Sequence, residues 1–167
     1  GCLELGEKLP FWDKSLDLVV LTHPEDDHLL GLVEVLSRYD VGLVLEPGIT
    51  RDTGSHKEWS SQIDSRGIET VVATSGQSID LGDGITLEVL HPQGKLLEGT
   101  GSDANNNSVV LRLSWGETSF LLTGDILEEA ERHILHNGGE LNSTVLKIGH
   151  HGSETSTCHQ FLSAVDP

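Results

Sequence analysis

Apolar and polar positions along the chain fall into segments that alternate between two periods. Asp17 to Thr22 is almost continuously apolar or β-branched, the pattern of a strand buried on both faces. Asp27 to Tyr39 then switches to apolar positions at Leu29, Leu32, Val33 and Leu36, with charge opposite, which predicts an amphipathic helix. Val41 to Leu45 predicts a second strand, stopped by Pro47-Gly48. Ser55 to Ser65 predicts an exposed helix ended by Gly67, followed by a strand from Ile68 to Ala73. Two hairpins follow: Ile79–Leu81 with Ile85–Leu90 around Gly82-Asp83-Gly84, and Ser108–Trp115 with Thr118–Thr123 around Gly116-Glu117. Ile126 to Asn137 predicts an amphipathic helix with Gly138-Gly139 past its end. Thr144 to Ile148 predicts another buried strand, and Thr157 to Val165 a last short helix. Gly1 to Asp13 carries no strand pattern, and Gly94 to Asn107 is the one long polar loop. Strands alternating with helices give an α/β class.

Length and composition narrow this. The 167 residues suffice for one domain, 1–167, with a real core. No apolar run approaches the roughly 20 residues of a membrane span, and nothing has the form of a signal peptide, so the chain reads as a soluble piece. Cys2 and Cys158 are too few for a disulfide framework and lack zinc-finger spacing. With 10 basic against 27 acidic residues the formal charge is −17, the wrong sign for a surface that grips nucleic acid directly. A phosphate substrate must then be drawn in by bound cations, which dominate a local field.

The candidate chemistry sits where apolar strands end. The first predicted strand runs into His23-Pro24-Glu25-Asp26-Asp27-His28, two imidazoles and three carboxylates at a strand-to-helix junction. Imidazole and carboxylate are the ligands of Zn²⁺- and Mn²⁺-like ions. An acidic helix N-terminus would account for Glu25 and Asp26, which the helix dipole favours, but not for two histidines. Downstream, Leu121-Leu122-Thr123-Gly124-Asp125 delivers one carboxylate from a strand end, and Val145-Leu146-Lys147-Ile148 runs into Gly149-His150-His151-Gly152-Ser153. Singly, an Asp after Gly is an ordinary N-cap and paired histidines are ordinary loop residues; in this order they specify an α/β metallohydrolase.

The order His-x-Glu-x-Asp-His, Leu-Leu-Thr-Gly-Asp and Gly-His-His-Gly-Ser resembles the metallo-β-lactamase superfamily, whose first motif is usually His-x-His-x-Asp-His. Leu21-Thr22-His23-Pro24, Asn106-Asn107-Ser108-Val109-Val110-Leu111, Leu122-Thr123-Gly124-Asp125 and Val145 to Ser153 are similar to the C-terminal domain of ComEC-type DNA-internalisation proteins, the bacterial competence channels. The resemblance runs from about Leu16 to the C-terminus and implies an αββα sandwich. Family members carry a hairpin before the first motif and further strands after the last, so the domain is expected to be truncated at both ends. It also implies a parent embedded in the bacterial inner membrane, with this piece as its soluble appendage.

The resemblance implies two divalent ions, Mn²⁺ or Zn²⁺. His23 and Glu25 would serve one, Asp27 and His28 the other, Asp125 would bridge them, and His150 or His151 would complete the second. A bridging carboxylate suits ions roughly 3.5–4 Å apart. If the strand continued through the pair, His150 and His151 would face opposite sides and only one would be a ligand, with a slight lean to His150. Asp27 and Asp125 are the candidate catalytic carboxylates, and Asn107, Lys147 and Ser153 the candidate substrate contacts.

Two departures alter the chemistry. Glu25 replaces the middle histidine of the first motif, and Asn105-Asn106-Asn107 replaces a later one. Oxygen in place of nitrogen moves preference from Zn²⁺ toward Mn²⁺ or Mg²⁺. His91, before Pro92, reads as a strand-end residue rather than a ligand; His133, His136, His56 and His159 read as surface residues, and Asp26 as solvent-facing. The favoured function is a phosphodiesterase acting on DNA during uptake. The alternatives are another hydrolase of this fold, acting on a phosphoester, lactone or thioester, and a non-catalytic remnant.

Overall fold

A computed structural model describes residues 2–137 and 139–167. Gly1 and Gly138, the latter expected just past the long helix, lie outside the described residues. The chain divides into two compact units, residues 1–72 and 73–167.

The first unit is a three-stranded parallel sheet with its connecting helices. It contains helix α1 (Cys2–Lys8), strand β1 (Ser15–Val20), helix α2 (Asp26–Arg38), strand β2 (Asp40–Glu46), helix α3 (Gly54–Arg66) and strand β3 (Glu69–Val72). β1 pairs with β2 (Leu18 opposite Leu43, Val20 opposite Leu45) and β2 with β3 (Val44 opposite Thr70). The helical spacing of α2 buries Leu29, Val35 and Leu36 against Val19, Leu21, Tyr39, Val44 and Trp59. Burying each such side chain contributes about 1.5–3 kcal/mol. Helix α2 lacks a glycine stop, and its last carbonyls need partners. The Arg66 guanidinium supplies them, donating to the carbonyls of Leu36, Tyr39 (2.9 Å) and Ser37 (3.2 Å). Helix α3 starts on Thr53, whose hydroxyl accepts the His56 N–H, and stops at Gly67, which takes the left-handed conformation at φ 64°.

That helix corrects one expectation. It is not exposed throughout: Trp59 is buried and donates its indole N–H to Glu46 Oε2 at 2.9 Å, and His56 is buried with Nε2 3.2 Å from the Ile49 carbonyl. His56 is therefore a core residue, not a surface one. Helix α1 occupies the stretch that showed only the lack of a strand pattern.

The second unit is a five-stranded sheet in the order β4-β5-β6-β7-β8. Its elements are β4 (Ser78–Gly82), β5 (Ile85–His91), α4 (Asp103–Asn106), β6 (Val110–Trp115), β7 (Thr118–Leu122), α5 (Glu128–Asn137), β8 (Val145–Lys147) and α6 (His159–Val165). The first four strands are antiparallel neighbours and β8 joins β7 in parallel, Leu121 opposite Leu146. Val110, Leu121, Ile126, Ala130, Ile134, Leu141, Phe161 and Val165 form its core. The loop expected from Gly94 to Asn107 holds one short helical turn, α4, capped by the Ser102 hydroxyl. Among the described residues no helix is long and apolar enough to cross a membrane.

Candidate metal centre

Strand β1 delivers the first group of candidate ligands. Its apolar run continues through buried Leu21 to His23, which is 1 % exposed, and the chain turns at Pro24 into α2. The His23 and His28 rings lie with centroids 4.2 Å apart, tilted by 49°. The Thr22 hydroxyl sits 3.1 Å from His23 Nδ1 and 3.5 Å from His28 Nδ1, so one side chain holds both rings in place. Asp27, exposed in the first turn of α2, has Oδ2 3.6 Å from His28 Nε2. Asp27 and His28 thus offer ligand atoms close enough to share one ion. Asp26 is solvent-facing, as expected, and accepts a hydrogen bond from the Ser55 hydroxyl. Beside Asp27 and His28 lies a cleft of about 400 Å³ walled by Leu5, Leu32 and Val35, with Lys8 also lining it.

Glu25 stands apart from this group. Its carboxylate is held in an ion pair and hydrogen bond by the Arg51 guanidinium. Arg51 follows β2, the parallel neighbour of β1, so the two loops leave the same end of the sheet. No sequence motif singled out Arg51. The signal for it is weak but real: it is one of only 10 basic residues and lies in the loop that follows β2.

The second group lies in the second unit. Asp125, at the end of β7, is buried, and its backbone N–H donates to Ser108 Oγ at 3.2 Å. His151 Nε2 lies 3.0 Å from Asp125 Oδ2, and Lys147 Nζ 3.9 Å from Asp125 Oδ1. Asp125 and His151 also offer ligand atoms within sharing distance. Lys147, read from sequence as a substrate contact, donates to the carbonyls of Gly124 (2.9 Å) and Ile148 (3.2 Å), clamping the turn that carries Asp125.

The strand does not continue through the histidine pair. Strand β8 ends at Lys147, and His150–Gly152 is a tight 3-10 turn in which His150 and His151 both take left-handed backbone (φ 43° and 53°). Left-handed backbone is costly for residues with a Cβ, and such strain persists where surrounding contacts over-determine it. Those contacts are present. Buried Glu131 of α5 accepts the backbone N–H groups of Thr157 and Cys158 (2.8 Å for the latter), and Ser156 Oγ donates to the Gly149 carbonyl at 2.9 Å. A Cβ on Gly149 would meet the Ile126 carbonyl oxygen at 2.9 Å, so only glycine fits that approach. The turn aims His151 at Asp125, while His150 Nδ1 lies 3.2 Å from Thr155 Oγ1. Glu131 escaped the sequence reading, although a glutamate between Ala130 and Ile134 on the core face of a helix was its signal.

The other sequence candidates have local duties. Asn107 is buried; its amide donates to the carbonyls of Leu97 and Asp103 and accepts the Leu97 N–H at 2.7 Å, which uses both amide hydrogens inside the loop. Asn106 caps the next segment, its Oδ1 accepting the Leu127 N–H at 3.0 Å. Ser153 Oγ lies 3.0 Å from Thr155 Oγ1.

His91 closes β5 as a buried residue and donates Nε2–H to the Asn106 carbonyl at 2.8 Å, since a carbonyl only accepts. Burial pushes its pKa down to about 4, against the opposing pull of that hydrogen bond. His133 is not a simple surface residue: its ring meets that of His91 edge-on at 6.0 Å, and the Nδ1 atoms of both are buried without a hydrogen-bond partner. His136 and His159 are exposed. Burial raises the Cys158 thiol pKa.

Comparison with known proteins agrees with the motifs. Residues 11–167 match the model of the metallo-beta-lactamase superfamily. The chain is 30 % identical over 171 residues to ComE operon protein 3 of Bacillus subtilis, covering 98 % of this chain and 21 % of that protein. It is 29 % identical over 170 residues to Recombination protein 2 of Haemophilus influenzae, covering 100 % of this chain and 19 % of that one. Competence protein ComA of Neisseria gonorrhoeae is 42 % identical over 86 residues, which cover 51 % of this chain and 12 % of that protein. The chain thus spans about a fifth of the first of these relatives. Among solved structures, CmlA, a diiron β-hydroxylase from Streptomyces venezuelae, matches 81 % of this chain and 25 % of its own at 19 % identity, with a TM-score of 0.52, a likeness of fold. The chain belongs to the metallo-beta-lactamase superfamily.

Proposed function

We propose that this domain is a metal-dependent phosphodiesterase that acts on DNA during uptake. The observation that carries the reading is the buried Asp125 carboxylate with an imidazole 3.0 Å away, on a turn held in strained backbone. A carboxylate and imidazoles at strand ends are a donor set that fits a divalent ion of the Mn²⁺ to Zn²⁺ range. Asp125 and His151 would hold it. The bound ion would supply Lewis acidity, polarising a phosphoryl oxygen and acidifying water.

The residues themselves divide the remaining work. Asp125 is buried and clamped by Ser108 and Lys147, which suits a ligand that must not move. Asp27 is exposed and suits a group that takes the proton from the attacking water. The cleft of Leu5, Leu32 and Val35 beside Asp27 offers an apolar wall to a nucleobase or sugar. The competence and recombination relatives supply the DNA context. The −17 charge means that backbone affinity must come from the metal, so DNA binding should show a shallow salt slope.

The test is hydrolysis of bis-p-nitrophenyl phosphate and of single-stranded DNA across added metals, with a chelated control. Activity on both, lost on chelation and restored better by Mn²⁺ than by Zn²⁺, is the expected result. Hydrolysis of lactone or thioester substrates alone would assign the domain to another hydrolase of this fold. Metal binding without hydrolysis of any of these substrates would make it a non-catalytic remnant.

A further inference from the structure

The first motif of this chain supplies two groups toward a first metal ion, His23 and Glu25, and the structure commits one of them elsewhere. Glu25 is bound by the Arg51 guanidinium, with both side chains about two-thirds buried. Arginine stays charged at any working pH and matches a carboxylate with a rigid fork of donors, so this neutralisation is permanent. The asparagines that stand where the resemblance expects a later histidine are also engaged. Asn106 and Asn107 hold the 97–107 loop and the start of α5, and His91 turns one ring nitrogen to the Asn106 carbonyl. A divalent ion beside Glu25 would meet a fixed positive charge and a carboxylate already paired. The donor set does not fit a first metal ion.

We propose that the Arg51 guanidinium takes the place of the first metal ion, so that the domain holds one divalent ion instead of two. This rests on the metal-dependent reading above, in which Asp125 and His151 hold the remaining ion. The cation that balances Glu25 is then supplied by the loop after β2, the neighbouring parallel strand. The assignment differs from an ordinary surface ion pair, which contributes little and controls nothing nearby: it sets how many ions the chain takes up.

The experiment is metal stoichiometry, by elemental analysis and by titration calorimetry with Mn²⁺ and with Zn²⁺, on variants checked for cooperative urea unfolding. Wild type is expected to take up one ion per chain, Glu25→Gln also one, and Asp125→Asn none. Pairing Arg51→Gln with Glu25→His should add a second binding event, because the guanidinium is removed and an imidazole restored. Two ions in wild type, loss of the single ion in Glu25→Gln, or no second event in the paired variant would each overturn the proposal while leaving metal dependence intact. No ion in wild type would instead bring down the metal-dependent reading and this proposal with it.

Discussion

Glu25 and Asp125 are two carboxylates delivered in the same way, each just past the end of an apolar strand, and they end in different chemistry. Glu25 follows β1, stays part-exposed and is paired with a permanently charged guanidinium. Asp125 follows β7, is buried, and faces an imidazole at 3.0 Å and an ammonium at 3.9 Å that is itself tied to two backbone carbonyls. A neutral imidazole has a lone pair to offer a metal ion; a guanidinium has none. The position of a carboxylate in the strand-and-turn pattern therefore decides whether it can reach a site, and its partner decides what it does there.

The largest effect should come from breaking the Asp125 side of this comparison. An Asp27→Ala, Asp125→Ala double variant should lose metal uptake and about 10²–10⁴-fold of its activity on bis-p-nitrophenyl phosphate. Elemental analysis against wild type checks it, and equal metal content in the two proteins would falsify the ligand assignment.

The unit that carries Asp125 also carries a pH liability. His91 has a pKa of about 4 in the folded protein, because burial disfavours its charge, against about 6.5 in the unfolded chain. Between those values the unfolded chain binds a proton that the folded one refuses. Stability contributed by neutral His91 is complete above pH 6.5 and falls as pH drops toward 4, by up to about 3 kcal/mol. Urea unfolding at pH 7.5, 6 and 5 should show this slope, and His91→Gln should flatten it; a variant with an unchanged slope would remove His91 as the cause.

Glu131 tests what holds the histidine turn. Glu131→Ala leaves the Thr157 and Cys158 N–H groups without their acceptor, which should cost about 1–3 kcal/mol. Because Glu131 anchors the backbone of Thr157 and Cys158, its effect on metal affinity is expected to arise through the 149–158 segment. Stability and titration calorimetry measured together separate the two effects. Unchanged affinity at reduced stability would show that the turn does not depend on this anchor.

The smallest effect is the control on the Glu25 side. Thr53→Ala removes the N-cap of α3 and should cost about 1 kcal/mol without altering metal uptake. A change in metal uptake there would mean that the loop bearing Arg51 responds to the helix it precedes.

Much of this molecule was written in local pattern. Strands β1, β2, β5, β6 and β7 and helices α2, α3 and α5 were legible because burial repeats every two or about 3.6 residues within a single segment. The candidate ligands were legible because His23 to His28, Asp125 and the 150–151 pair each sit directly after such a segment. Helix α1 was not, since its short stretch carried no period that the sequence reading used.

The remaining features depend on which distant residues meet. The charge pattern gave no reason to place Arg51 on Glu25, 26 positions away, until β1 and β2 were aligned in parallel. His56 looked like a solvent-facing residue on a weakly amphipathic helix, and only its approach to the Ile49 carbonyl made it a core group. His91 and His133 are 42 positions apart, and the enclosure of both Nδ1 atoms comes from β5 and α5 meeting. The two left-handed histidines were invisible for the same reason: a backbone that residues with a Cβ avoid is held there by Glu131 and Ser156. Sequence by itself determined the elements and the kinds of ligand they carry, because periodicity and residue type are local. Tertiary structure alone decided which carboxylate is paired with arginine and which histidine faces Asp125, because a side chain's partner is set by long-range packing.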